Sequence, residues 1–457
     1  MRLGATRRGF LTRAAAAALA VLTERVGSLL AGRPLVRPAS AQAGARGRPQ
    51  VRAGVTHGPF LGDLAPSGVR VWARCADPGP HRLVVRRREG GEEIFAVAEA
   101  TTDGDRTVVW RVSGLEPSTR YDYEVRSGER SLFSSPDASF VTPPPPREPS
   151  VARLAFGSCA REEEGDRAVW RRLAVLEPDA VVLLGDTPYI DSTNLAVQRR
   201  RYAEFAAVPE LAALLRGRPL YATWDDHDFG ANDTDGRLEG KENARRAFIE
   251  FHANPSYGDG REGVYTRFRM GGVEVFLLDT RYFAGTGPSP IADGPTLLGP
   301  AQWAWLRDGL RSSDAPFKVL ASGLVWNGAV RPGKPDHWDS YAQERDALFR
   351  FLGDERISGV VLMGGDVHRT RVLRYPTGDV VGYPLTELIT SPVHSGVIAD
   401  ANAPHPALVH DSGEPHAFLI VTVDTTVDPP TLQARFQNAA GRELYELTLD
   451  AAALTAP

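Results

Sequence analysis

From residue 154 onward the chain repeats one pattern: a run of consecutive apolar residues, closed by small or chemically able residues, then a longer stretch with helical spacing. Leu154-Ala155-Phe156-Gly157-Ser158-Cys159, Ala180-Val181-Val182-Leu183-Leu184-Gly185-Asp186 and Leu220-Tyr221-Ala222-Thr223-Trp224-Asp225-Asp226-His227 have this form. So do Val275-Phe276-Leu277-Leu278-Asp279, Val319-Leu320-Ala321-Ser322-Gly323 and Val360-Val361-Leu362-Met363-Gly364-Gly365-Asp366-Val367-His368. Uninterrupted apolar runs predict strands buried on both faces, and the stretches between them predict covering helices. In layered α/β folds ligands sit outside the carboxyl ends of the strands, which is where these runs deliver their Cys, Asp and His. No fixed-period repeat is present.

Upstream the texture differs. Residues 50–142 read as short strands with turns between them, among them 68–74, 82–85 and 107–112, which predicts an all-β sandwich. Leu115-Glu116-Pro117-Ser118-Thr119-Arg120-Tyr121-Asp122-Tyr123 resembles the fibronectin III corner, in which a tyrosine bonds back to the backbone. The proline-rich segment 143–150 cannot continue a ladder, so it is read as a stiff linker and 151–457 as the catalytic domain. Residues 1–41 read as an address: Arg7-Arg8 within a twin-arginine pattern, the weakly apolar segment 14–22, and Ala39-Ser40-Ala41 as a cleavage site. Maturation is expected near Gln42, with export by the twin-arginine machinery to the periplasm or the medium.

Composition narrows the class. With 457 residues, 42% hydrophobic and 24% charged, the chain has globular usage and room for two or three domains. A net charge of −4 offers nucleic acid no general attraction, so an anionic substrate must be held by local cations. No stretch approaches the roughly 20 apolar residues of a membrane span, and the protein is read as a monomer without an anchor. The two cysteines, Cys75 and Cys159, fall in segments of different character, so a disulfide is not favoured.

The strand ends carry the chemistry. Cys159, Asp186 with Tyr189, Asp225-Asp226-His227 with Asn232, and Asp366 with His368 supply thiolate, phenolate, carboxylate and imidazole groups. Any one such Asp is commonly a helix cap, but four strand ends of this kind together point to metal ions. Carboxylate oxygens suit hard cations, whereas thiolate and imidazole suit a transition metal, so the mixture predicts two kinds of ion in one site. No Gly-x-Ser-x-Gly elbow is present, and Gly364-Gly365 lacks the remaining glycines of a nucleotide fingerprint.

Gly185-Asp186-Thr187-Pro188-Tyr189, Trp224-Asp225-Asp226-His227, Leu278-Asp279-Thr280-Arg281 and Gly365-Asp366-Val367-His368 resemble, in order, the motifs of the PhoD-like alkaline phosphatases, a branch of the calcineurin-like metallophosphoesterases. Flanking Trp303, Trp305 and Trp338-Asp339-Ser340-Tyr341 fit the same family. The resemblance implies a four-layer α/β sandwich preceded by a β-sandwich, and hydrolysis of small phosphate esters by metal-activated hydroxide. It also implies ferric iron, Fe(3+), held by Cys159, Asp186, Tyr189 and His368, and calcium, Ca(2+), held by Asp186, Asp226 and Asp366. One departure is that Asp191 stands where the family commonly has glutamate.

By the same resemblance His227 contacts the phosphoryl group or protonates the leaving oxygen. Arg281 is open between a phosphate clamp and a structural partner of Asp279, and Arg161 and Asn232 are candidate substrate contacts. His337 and His394 are left outside the ligand set. The competing readings are a phosphodiesterase for phospholipid or teichoic acid, and a non-catalytic extracellular binding protein.

Overall fold

The computed structural model describes residues 54–328 and 333–456. The 1–41 address lies outside the described residues. The described residues form one compact unit.

The six apolar runs are strands, and they divide between two sheets. Val151–Gly157, Ala180–Leu184 and Leu220–Thr223 lie side by side and parallel in a six-stranded sheet. Val273–Leu277, Phe317–Ala321 and Val360–Gly364 do the same in a seven-stranded sheet. Each parallel core is extended by antiparallel strands that the sequence pattern did not single out. Ala417–Asp424 pairs with Val151–Gly157, and Thr266–Met270 with Val273–Leu277.

Side-chain alternation explains why the runs are apolar throughout. On Ala180–Leu184, Ala180, Val182 and Leu184 join Val275, Leu320 and Leu362 in the core between the sheets. Their neighbours Val181 and Leu183 pack with Trp170, Tyr202 and Phe248 from the helices Arg167–Leu176, Leu195–Ala206 and Lys241–Phe251. A strand covered by a sheet on one face and helices on the other has no solvent side for a polar residue. The seven-stranded sheet is covered in turn by Gly299–Ser312 and Ala342–Asp354, which contribute Trp303, Leu306, Leu348 and Leu352. Helix, sheet, sheet and helix make four layers.

Ahead of these layers, strands between Val55 and Val141 form a three-stranded and a five-stranded antiparallel sheet around Leu61, Val71, Val85, Trp110 and Tyr123. Tyr121 accepts a hydrogen bond from the Glu116 backbone N–H at 2.9 Å, closing the corner. These sheets are bonded to the layers behind them. Trp72 Nε1 donates to Glu250 O (2.7 Å), Arg70 to Pro255 O (2.6 Å), and Tyr123 Oη to Arg216 O (2.8 Å). Residues 143–150 carry no helix or strand, yet Ser150 N donates to Thr425 Oγ1 at 2.9 Å. Cys75 and Cys159 are both buried free thiols. Among the described residues no helix is long and apolar enough to cross a membrane.

Candidate metal centre

The carboxyl ends of the two parallel cores open onto one place. Cys159 leaves the strand Val151–Gly157, Asp186 follows Ala180–Leu184, Asp225 and Asp226 follow Leu220–Thr223, and Asp366 and His368 follow Val360–Gly364. The first three belong to one sheet and the last to the other, so the site spans the seam. Cys159, Asp186, Asp366 and His368 all take positive φ, between 52° and 58°. Non-glycine residues hold that left-handed conformation at a cost of order 1–3 kcal/mol each, and such strain gathers where function fixes the geometry.

Donor atoms converge in overlapping sets. Cys159, Asp186 and His368 bring Sγ, a carboxylate oxygen and a ring nitrogen within 4.8 Å of one another, and Asp186, Asp225 and Asp366 do the same with three carboxylate oxygens. Asp186 with Asp226 and His227, and Asp226 with Asp233 and Asp336, make two more sets. Tyr189 joins the first, its hydroxyl 2.8 Å from His368 Nε2. Asp186 is therefore common to three of these sets, as a bridging ligand would be.

The electrostatics call for cations. Burial, followed by the charges of Asp226, Asp225, Asp228 and Asp366, pushes the Asp186 carboxyl well above the usual carboxylate range. Burial likewise raises Asp366 to about 6 and Asp228 to about 7. Burial and the neighbouring Asp186 push the Cys159 thiol up as well. Asp225 Oδ2 and Asp366 Oδ2 are buried without a hydrogen-bond partner. Buried carboxylates this crowded and under-bonded fit metal ions, which reverse the local pKa logic and deprotonate a coordinating thiol.

Close packing fixes Asp225. A Cβ on Gly323 would lie 2.3 Å from Asp225 Cγ, and one on Gly185 would lie 2.4 Å from Asp225 Cβ. Glycine is needed at both places, and Gly185 also takes φ of +94°. Asp225 caps the short helix Asp226–Phe229 in a reciprocal capping box with Asp228. Asp226 is held on both oxygens, accepting from His227 N (3.0 Å) and Asp233 N (2.6 Å).

The remaining sequence candidates separate. His227 sits beside the cluster with Nδ1 2.6 Å from Asp191 Oδ1, which assigns the hydrogen to Nδ1 and leaves Nε2 as its second site. Arg161 lays its guanidinium over the Tyr189 ring, 4.6 Å from the centroid. Asn232 is exposed on the loop, and it is the backbone N–H of the next residue, Asp233, that reaches Asp226.

Arg281 is a correction to the clamp reading. Its guanidinium is 1% exposed and committed, Nε to Asp225 (2.7 Å) and the two terminal nitrogens to Asp336 (2.7 and 2.8 Å) and Thr234 O (3.0 Å). No free fork remains for a phosphoryl group. It is a structural ion-pair partner of Asp225 and Asp336, while Asp279 accepts only its backbone N–H (3.0 Å).

Two participants, Lys334 and Asp336, were not identified from the sequence, and a third, His394, was considered there but left outside the ligand set. Lys334 Nζ stands 2.7 Å from Asp233 and 3.6 Å from Asp366. Asp336 holds Arg281, and His394 Nε2 lies 3.0 Å from the Tyr189 hydroxyl. Lys334 and Asp336 arrive on a loop with no regular pattern; the only signal for His394 was its place in Ser391-Pro392-Val393-His394. Beside Asp233 and Asp336 a cavity of about 380 Å³ is walled also by Arg237 and Tyr341.

Two facing sheets covered by helices, with metal-type donors at the seam, define an α/β metallophosphatase architecture. A solved structure described as that of PhoD matches with a TM-score of 0.68 and 21% identity, over 86% of this chain and 92% of that one. A purple acid phosphatase from yellow lupin (Lupinus luteus) seeds matches with a TM-score of 0.66 and 14% identity, over 87% and 75%. Residues 154–456 match the profile of the PhoD-like phosphatases, and the chain belongs to that family. Alkaline phosphatase D of Bacillus subtilis (strain 168) is 27% identical in an alignment of 305 positions that covers 56% of this chain and 52% of that protein. The match thus spans about half the length of that curated relative.

Proposed function

We propose that the chain is a metal-dependent phosphoric ester hydrolase of the alkaline phosphatase D type, acting on small phosphate esters. The observation that carries this reading is the convergence of Cys159, Asp186, Tyr189 and His368 beside carboxylates whose buried oxygens lack partners. Cys159, Asp186, Tyr189 and His368 would hold ferric iron, since a thiolate and a phenolate are strong anionic donors. Asp186, Asp226 and Asp366 would hold calcium, with Asp225 Oδ2 available beside them. Metal ions bound there would activate a water nucleophile and offset charge on the phosphoryl oxygens.

The chain's own groups divide the remaining work. Asp191 orients His227 through Nδ1–H, and Nε2, carrying a proton taken up from solvent, would donate it to the leaving oxygen so that the alcohol departs neutral. Arg161, Asn232 and Lys334 line the approach for the phosphoryl group. Arg281 is a positioning residue that holds Asp225. The adjoining cavity favours diesters as a second reading, because it has room for a second alcohol group. Export is proposed on Arg7-Arg8, and a fibronectin III or Ig-like identity for the sheets ahead of residue 142 on the Tyr121 corner.

Metal analysis of the purified full chain, followed by turnover of p-nitrophenyl phosphate and bis-p-nitrophenyl phosphate, tests the reading. Iron and calcium with turnover of either ester are expected. Protein that takes up neither ion and hydrolyses neither ester would overturn it.

A further inference from the structure

We propose that His394 is a positioning residue for Tyr189, donating Nε2–H to the tyrosine oxygen and holding that oxygen, as a phenolate, at the Cys159–Asp186–His368 cluster. This rests on the reading of Tyr189 as a metal ligand.

The argument begins with where the ring's hydrogen must be. His394 is 1% exposed and follows the buried strand Leu385–Ile389. Its Nδ1 accepts the Gly396 backbone N–H at 2.8 Å, so in the neutral ring the hydrogen resides on Nε2. A Cβ on Gly396 would lie 2.9 Å from His394 Cε1, so the close turn that fixes this tautomer requires glycine. An Nδ1 that accepts a hydrogen bond carries no hydrogen of its own, so the ring is the neutral Nε2–H tautomer.

The tyrosine oxygen then has a defined set of partners. It lies 2.8 Å from His368 Nε2 and 3.0 Å from His394 Nε2. A phenol has one hydrogen to give. Since His394 Nε2 already carries one, the phenol hydrogen goes to one of the other neighbours, His368 Nε2 or the Cys159 sulfur, and His394 donates to the oxygen lone pair. With the oxygen as a phenolate, its hydrogen passed to solvent, the His394 bond would be kept and strengthened, because a charged acceptor makes the stronger hydrogen bond.

The backbone around His394 is tied to the same place, so the donor cannot drift from its acceptor. His394 N donates to Cys159 O at 2.9 Å and Val393 N to Ser158 O at 3.0 Å. His394 is not among the atoms that converge as a ligand set. Partners outside the ligand sphere commonly set the orientation and basicity of the ligands themselves.

The test is the visible charge-transfer band of the iron-loaded full chain, read alongside iron stoichiometry and circular dichroism. Losing the donated hydrogen bond raises the energy of the phenolate electrons. In His394→Phe the band is therefore expected to move to longer wavelength, and in His394→Gln, whose amide can still donate, to return toward the wild-type position. A band that Tyr189→Phe abolishes but His394→Phe leaves in place would overturn the role of His394 alone. A wild-type protein with no band dependent on Tyr189 would overturn the ligand reading and this proposal with it. If His394→Phe does not fold, a shift in His394→Asn that His394→Gln lacks supports the proposal, and equal bands in the two amides overturn it.

Discussion

His227 and Asp226 are adjacent in sequence and differ in what holds them. Both Asp226 oxygens are bonded within the loop at the carboxylate cluster, whereas His227 turns its ring to Asp191. Asp226→Ala is expected to lose calcium and nearly all turnover. His227→Ala should keep its metals and lose roughly 10²- to 10⁴-fold in turnover, the range for a positioned acid or base. That penalty should shrink for leaving groups such as p-nitrophenolate, which depart without a proton. Turnover across a series of esters of graded leaving-group pKa, with metal analysis of each variant, checks both expectations. Arg281 gives a contrasting case. Arg281→Met would strand Asp225 and Asp336 without their partner, and breaking a buried pair costs about 3–5 kcal/mol. Urea unfolding of the metal-free protein should register that loss, whereas a phosphate clamp would raise KM and leave stability alone.

At the scale of elements, the apolar strands with their terminal Asp, Cys and His were legible in the sequence because burial on both faces leaves a local signature. Thr431–Asn438 alternates between partly exposed and buried positions over most of its length, and Glu443–Asp450 has no fully buried position, so their pattern is correspondingly weaker. The site was legible to the same extent. Asp186 and Asp366 could be found because each closes a buried run. Lys334 and Asp336 could not, and His394 stood out only as a loop histidine outside the ligand set, because their parts depend on where a loop comes to rest. Arg281 was visible as a cation near the site, but only the fold shows that its charge is already spent.

One buried cation lies well away from the centre and ties two strands together. Lys318, on Phe317–Ala321, donates from Nζ to Ala315 O (2.6 Å) and to Ser358 O (3.1 Å), just ahead of Val360–Gly364. Burial, opposed by the charge of Glu274, lowers its pKa from 10.5 to about 8. Below pH 8 the ammonium is charged in both states and folding bears its full desolvation cost. Between pH 8 and 10.5 the unfolded chain binds more protons, so stability rises with pH. At about 1.4 kcal/mol per pKa unit, wild type should gain on the order of 3 kcal/mol relative to Lys318→Met across that window. Urea midpoints of the two proteins, measured side by side from pH 7.5 to about 10.5, read the difference.

For the whole molecule, ions held at the proposed centre would clasp the two sheets together, because Cys159, Asp186 and Asp226 come from one and Asp366 and His368 from the other. Ions that bind only the folded state stabilise it by mass action, by about 2.7 kcal/mol at a free concentration 100 times Kd. Chelation is therefore expected to lower the Tm of the full chain, and restoring iron and calcium to raise it again. Calorimetry with and without chelator measures the effect, and an unchanged Tm would show that the seam holds without ions.

The seam also sets a timetable. Tyr189 and His368 meet across 179 residues of chain, and Ser158 and Thr390 across 232. Contacts of such long sequence separation form late, since the chain must close a large loop before either partner is rewarded. A nascent chain emerging from the ribosome presents Cys159, Asp186 and Asp226 long before Asp366 and His368 exist. Complete coordination by the proposed ligands would thus record that synthesis has finished and both sheets have met, and metal loading would serve as a proofreading mark for the finished fold.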